Sequence, residues 1–147
     1  GVSNLLDARL VARNGGESEF ELSGGNRVVA PATTLAVGSE VRLGIRPEKL
    51  HLVPLELADL PGTASAYSGH NWLEGSVADA SYVGVSTQYV VRTDVGKELI
   101  IYAQNLEVSG QQGQLKPGQR VRVGWKPQHT FVIERKGAAQ PTEEHDV

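Results

Sequence analysis

Gly38-Ser39-Glu40-Val41-Arg42-Leu43-Gly44-Ile45-Arg46-Pro47-Glu48 returns later in the chain as Gly118-Gln119-Arg120-Val121-Arg122-Val123-Gly124-Trp125-Lys126-Pro127-Gln128. Two glycines, a valine, an arginine and a proline recur at the same offsets without a gap. Leu43/Val123, Ile45/Trp125 and Arg46/Lys126 are replacements of like kind. Apolar residues at every second position describe a half-buried strand. Proline ends it, because it has no N–H to give a ladder. A glycine inside such a strand implies close approach by another backbone, which is the role expected of Gly44 and Gly124. A second echo pairs Asn4-Leu5-Leu6 with Asn71-Trp72-Leu73. The unit is therefore strand–corner–strand, used twice. Two small barrels, or one composite sandwich, both satisfy this pattern. Each half carries little apolar surface, so a shared core is expected.

Outward from the repeat the grammar stays β. Leu5 to Ala12, Phe20/Leu22 alternating with Glu19/Glu21, and Arg27 to Ala30 read as strands separated by the turns Asn14-Gly15-Gly16 and Ser23-Gly24-Gly25-Asn26, with Pro31 as the stop. Leu50 to Val53 continues past the first corner, and residues 54–70 form an irregular, proline- and glycine-marked connection. Trp72 to Val83 is long for one strand, and Gly75 marks a bulge or a close backbone contact. Thr87 to Thr93, the turn Asp94-Val95-Gly96-Lys97 and Leu99 to Tyr102 make the clearest hairpin. Arg120 to Trp125 and Thr130 to Glu134 close the series, after a glutamine- and glycine-rich loop at 110–118. The polar stretch 137–147 is expected to be a disordered tail.

Composition narrows the function. The formal charge of −3 is the reverse of the basic balance that phosphate-backbone contacts require, so no nucleic-acid partner is expected. With no cysteine there is neither a disulfide nor a thiolate metal site. No apolar run approaches the ~20 residues that span a bilayer, and Gly1-Val2-Ser3-Asn4 has no features of a secretory signal. Lacking an initiator methionine there, the chain is expected to be part of something longer.

Motifs for chemistry are missing from the sequence. Gly96-Lys97 is followed by Glu98 rather than a hydroxyl residue, so it is no phosphate loop, and there is no Gly-x-Gly-x-x-Gly. His51, His70, His129 and His145 show no ligand spacing, and His70 reads as an exposed loop residue. No catalytic, cofactor or metal residue is assigned. The candidate contacts are polar groups at strand ends. Tyr82, Ser86, Thr87 and Gln88, with Asp79 and Gly84, either meet a ligand or satisfy a local bulge and turn. Arg46 and Glu48 flank Pro47, as a solvated corner or as salt-bridge partners of another domain. Asn105 follows Gln104 at a strand end, where turn capping competes with a role in a site. Trp125 reads as core rather than as a stacking platform, since no basic residues interleave with it.

Gly1-Val2-Ser3-Asn4-Leu5-Leu6, Gly44-Ile45-Arg46-Pro47-Glu48, Tyr82 to Tyr89 and Gly124-Trp125-Lys126-Pro127 together resemble the C-terminal regulatory region of ABC-importer ATP-binding subunits, the TOBE (transport-associated OB) domain, in its spermidine/putrescine-type branch. The resemblance spans roughly residues 1 to 134. It implies an all-β, OB-like barrel with the strands of two related halves mixed, one domain over 1–136 with halves at about 4–53 and 71–134. It implies a regulatory and dimerisation role in polyamine import. The partners implied are the protein's own N-terminal ATPase domain, a second copy and the permease subunits, at the inner face of the cell membrane. ATP and magnesium would belong to the ATPase domain, and this chain would not be an enzyme. Gly1 to Leu6 matches the junction leaving the ATPase domain and Gly44 to Glu48 the corner motif; no ligand residue is carried over. Trp125-Lys126 departs from the Ile-Arg of the first corner. The competing reading is a small-ligand or oxyanion-binding module of the molybdate-binding type.

Overall fold

The computed structural model describes residues 3–104 and 115–135, and for Val83 and Gln104 the backbone alone. Asn105, the loop residues up to 114 and the polar tail at 137–147 lie outside the described residues. Strands β1 (Asn4–Asn14), β2 (Glu17–Leu22), β3 (Arg27–Pro31), β4 (Glu40–Ile45) and β5 (His51–Pro54) come first. After the connection follow β6 (Asn71–Val83), β7 (Ser86–Thr93), β8 (Glu98–Gln104), β9 (Arg120–Trp125) and β10 (Phe131–Glu134). A 3-10 turn makes each corner, Pro47–Lys49 and Pro127–His129. The connection contains a short helix, α1 (Pro61–Ala66), where the sequence pattern predicts no regular structure; Pro61 at its first turn supplies the helical φ.

All ladders are antiparallel and form two five-stranded sheets, β10-β4-β1-β2-β3 and β5-β9-β6-β7-β8. Each sheet holds four consecutive-half strands plus the last strand of the other half. The registers match: Asn4↔Ile45 and Leu5↔Gly44 in one, Asn71↔Trp125 and Trp72↔Gly124 in the other. The bulges match too, after Leu10 in β1 and after Val77 in β6. Next to each bulge a left-handed glycine closes the turn: Gly38 (φ 99°) donates to the Leu10 carbonyl at 2.8 Å, and Gly118 (φ 91°) to the Val77 carbonyl at 2.7 Å.

The expected closed barrel is not formed by backbone ladders; the sheets stay separate. What joins their edges is a pair of asparagine side chains. Val29 N–H on β3 donates to Asn71 Oδ1 (2.8 Å) and Asn71 Nδ2 donates to the Val29 carbonyl (2.9 Å). Ile100 N–H on β8 donates to Asn4 Oδ1 (2.8 Å), and Asn4 Nδ2 donates to the Ile100 carbonyl (2.9 Å). Each amide thus stands in for a strand residue along an edge, satisfying groups that would otherwise be stranded. One hydrophobic cluster runs through both sheets, from Leu6, Leu10 and Phe20 to Val123 and Trp125. Trp125 is fully buried as core, its Nε1 donating to Thr130 Oγ1 at 2.8 Å.

The mid-strand glycines do not face another backbone. A Cβ at Gly44 would collide with the Phe131 ring, and one at Gly124 with the Trp72 ring. Both rings lie on the outer faces of their sheets, one from β10 and one from β6, so the glycine slot is filled by an aromatic from opposite neighbours in the two sheets. Gly75 does mark a close backbone contact, against Arg92 and Thr93, and the bulge falls two residues later.

Candidate functional site

The β6–β7 hairpin gathers most of the sequence-predicted contacts because it outgrows its counterpart. Counted from the bulge, β1–β2 ends at Asn14↔Glu17. The β6–β7 ladder passes the matching pair Ser81↔Gln88 and adds Tyr82↔Thr87 and Val83↔Ser86. β8 lengthens alongside, pairing Ala103 with Thr87 and the Gln104 backbone with Ser86. The extension leaves Tyr82 58%, Val85 68% and Tyr102 40% exposed. Thr87, by contrast, is buried among inward-facing residues, and Ser86 and Gln88 are half-buried on the outer face. No charged residue falls between Ala80 and Val91, whereas Arg9–Glu21 (3.0 Å) ties β1 to β2 in the shorter hairpin and Arg27–Glu19 (3.5 Å) ties β2 to β3. Just inside the tip, Leu115 N–H donates to the Tyr89 hydroxyl at 3.2 Å, and burial pushes that phenol's pKa up.

The first corner packs against β8, which places Arg46 and Glu48 beside the strand that carries Tyr102. Arg46 is exposed, its guanidinium 5.6 Å from the Phe131 ring centre; Glu48 is exposed as well. Of the candidate contacts, Tyr82, Ser86, Thr87 and Gln88 therefore share one hairpin, Arg46 and Glu48 share one corner, and β8 lies against both.

A second cluster escapes sequence reading. The connection folds over the outer face of β5, β9 and β6. Tyr67 meets His51 (5.7 Å between ring centres), His70 (5.2 Å, edge-on) and Trp72 (5.5 Å, edge-on). His70 lies 6.0 Å from His51 and 6.1 Å from Trp72, and Arg122 sits 5.6 Å from the Trp72 ring. His70 is half-buried rather than an exposed loop residue, and its Nδ1 is buried with no hydrogen-bond partner among the described residues. Nearby, burial and the charges of Lys49, Lys126 and His70 lower the pKa of His129. Among the described residues no group of three or more His, Cys, Asp or Glu is arranged to hold a metal ion. The signal that was available is positional: His51 stands opposite Gly124 as Phe131 stands opposite Gly44, although the ring over Gly124 is that of Trp72.

Two crevices lie where first strands meet the hairpin turns. The larger, of about 370 Å³, is lined by Asn26, Trp72, Glu74, Asp94 and Arg122. Its charges are already matched: Arg122 pairs with Glu74 (3.0 Å), and Arg120 grips Asp94 (2.7 Å), holding that carboxyl's pKa below the usual range. The smaller, of about 160 Å³, is lined by Leu6, Asp7, Ser23, Val95 and Lys97.

The family model for the TOBE domain matches residues 43–133, from inside one repeated strand to the end of the last. Among curated relatives, the spermidine/putrescine import ATP-binding protein PotA of Rubrobacter xylanophilus is 30% identical over 136 residues, 90% of this chain and 32% of that protein. PotA of Acidothermus cellulolyticus is 31% identical over 146 residues, 98% of this chain and 35% of that protein. The chain thus spans about a third of the length of these relatives. Among solved structures, the cytoplasmic molybdate-binding protein ModG superposes with a TM-score of 0.74 at 21% identity, covering 90% of this chain and 96% of that one. At that identity the likeness speaks for the fold alone.

Proposed function

We propose, on the premise that this chain belongs to the TOBE domain family, that it is the regulatory domain of an ABC-importer ATP-binding subunit serving polyamine uptake. The observation that carries the reading is the alignment of PotA proteins along nine-tenths or more of this chain, confined to a third of theirs. The rest of such a protein would be the ATPase domain, which would bind ATP and magnesium and do the hydrolysis. The domain's part is contact: with its own ATPase domain, with a second copy in a homodimer and, through the full-length subunit, with permeases at the cytoplasmic face of the membrane. The hairpin extension and the first corner are the surfaces suited to it, with Arg46, Glu48, Tyr82, Ser86 and Gln88 as contact residues and Thr87 bracing the extension from inside; Asn105, outside the described residues, is a further contact candidate on its sequence alone.

The two halves, about 4–53 and 71–134, are read as copies of one ancestral unit. Matched registers, matched bulges and the reciprocal asparagines support this more strongly than the eleven-residue echo does. A second reading, an oxyanion-binding module, draws on the fold shared with ModG; micromolar binding of molybdate in calorimetry would promote it.

The test of the leading reading is uptake of radiolabelled spermidine by cells whose only polyamine-importer ATPase is the full-length subunit. Uptake should collapse when the subunit is removed and return when it is restored. Unchanged uptake, or ATP turnover by this chain alone, would refute the assignment.

A further inference from the structure

The tip of the β1–β2 hairpin holds the only Asn-Gly pair in the chain, Asn14-Gly15. Both residues are exposed, and Gly15 turns the chain with a φ of 67°. Its N–H has no hydrogen-bond partner among the described residues, and beyond its chain neighbours no atom lies within 4 Å of where a Cβ would stand. Neither a bond nor a side chain therefore keeps an electrophile from this nitrogen. The preceding residue carries one, the carboxamide carbon Cγ of Asn14. The amide is drawn aside: Asn14 Nδ2 donates to Glu19 Oε2 at 3.3 Å, and Glu19 is itself held by Arg27 at 3.5 Å. The other described asparagines lack this combination. Asn4 and Asn71 are each 6% exposed, bonded through both amide atoms, and followed by the bulky Leu5 and Trp72. Asn26 is exposed but is followed by Arg27.

We propose that Asn14 is a site of spontaneous deamidation, with Glu19 as its brake. Asparagine is thermolabile because its side-chain amide is open to attack. Once the amide leaves Glu19, the Gly15 nitrogen gives its proton to hydroxide and bonds to Asn14 Cγ. The Cγ–Nδ2 bond breaks, and Nδ2 departs as ammonia with its own two hydrogens and one proton from water, which returns the hydroxide. A second water opens the five-membered imide at either carbonyl, leaving aspartate or isoaspartate at position 14. No oxidant or reductant takes part. Either product puts a carboxylate where an amide donated to Glu19, so attraction becomes repulsion. Isoaspartate also adds a methylene to the backbone, which removes the Asn14↔Glu17 register. Fraying ends at the bulge, where Leu10 N–H is held from the other side by the Ser39 carbonyl (2.9 Å).

Peptide mapping by mass spectrometry of the whole chain, incubated in mildly alkaline buffers, follows each asparagine separately. The two products at position 14 have equal mass and separate by chromatography. Asn14 should convert first, at a rate proportional to hydroxide concentration. Glu19→Ala should speed the conversion about twofold, the worth of an exposed hydrogen bond. Glu21→Ala removes the same charge from the same strand but frees Arg9 rather than Asn14, and should leave the rate at the wild-type value. Conversion of Asn14 no faster than that of Asn26, or equal rates in the two glutamate variants, would overturn the proposal. Either result leaves the regulatory reading standing, since that reading is decided by uptake.

Discussion

Asn71→Asp should convert a structural clamp into an acid-dependent one. Asn71 is 6% exposed and makes two bonds to the edge residue Val29, accepting at 2.8 Å and donating at 2.9 Å. An ionised Asp keeps the acceptor but turns a second lone pair toward the Val29 carbonyl. One hydrogen bond is lost, worth about 1 kcal/mol net, and a partly buried carbonyl faces a charge, costing about 1–3 kcal/mol more. The expected loss near neutral pH is therefore about 2–4 kcal/mol, a large part of a small domain's stability. A protonated Asp restores the donor. The neutral form is the one the fold prefers, so the native pKa lies above the unfolded value of about 3.9. Stability contributed by that proton is present below the unfolded value and is lost as pH rises through the native one. Urea unfolding of wild type and Asn71→Asp across the acid range measures this; the gap between them should narrow as pH falls toward about 4. Asn71→Leu, which cannot recover a donor, should show a gap that stays wide. An Asn71→Asp deficit independent of pH, or no deficit at all, would refute the clamp.

Three further outcomes are expected. Gly124→Ala should destabilise by about 1–3 kcal/mol through collision with the Trp72 ring, and Trp72→Ala should relieve most of that collision in a double-mutant cycle of unfolding free energies. His129 titrates below its ordinary value because of burial and the charges of Lys49, Lys126 and His70, so the unfolded chain takes up its proton first; its stability contribution is present above the unfolded value and fades as pH falls, and His129→Gln should flatten that part of the stability–pH curve measured by thermal unfolding. Ser18 Oγ is buried with no partner among the described residues, so Ser18→Ala should raise the unfolding free energy by about 1 kcal/mol in denaturant titrations.

Much of the fold is legible because strands and corners are written in local chemistry. Val41, Leu43 and Ile45 alternate with outward residues, Pro47 has no N–H to extend the ladder, and both facts survive into β4 and its 3-10 turn. Trp125 follows the same rule, inward by alternation and buried. The sheet partners are not local, and there the reading goes astray. Gly44 and Gly124 announce a missing side chain without saying what fills the space, and the filler is an aromatic ring from a different neighbour each time. Asn4 and Asn71 were visible as an echo, but an amide that imitates a strand edge has no sequence signature beyond being asparagine. Of the candidate site, the hydroxyl and amide residues of the tip were found because they cluster in sequence. The histidines were missed because three segments distant along the chain bring His51, His70 and His129 to one pole.

On the proposed reading of two related halves, each acts as a control for the other. Whatever the shared scaffold needs appears in both: register, bulge, positive-φ glycine, ring over glycine, asparagine clamp. A feature found in only one half is not demanded by that scaffold. Two such features stand out, the uncharged pairs added to the β6–β7 hairpin and the connection's imidazole overlay on β5 and β9. Exposed Tyr82 and Val85 on the former lower stability or solubility unless something covers them. Gathering basic groups around the latter costs repulsion. Each is a local cost carried in one half only, although the other half shows that the scaffold can be built without it.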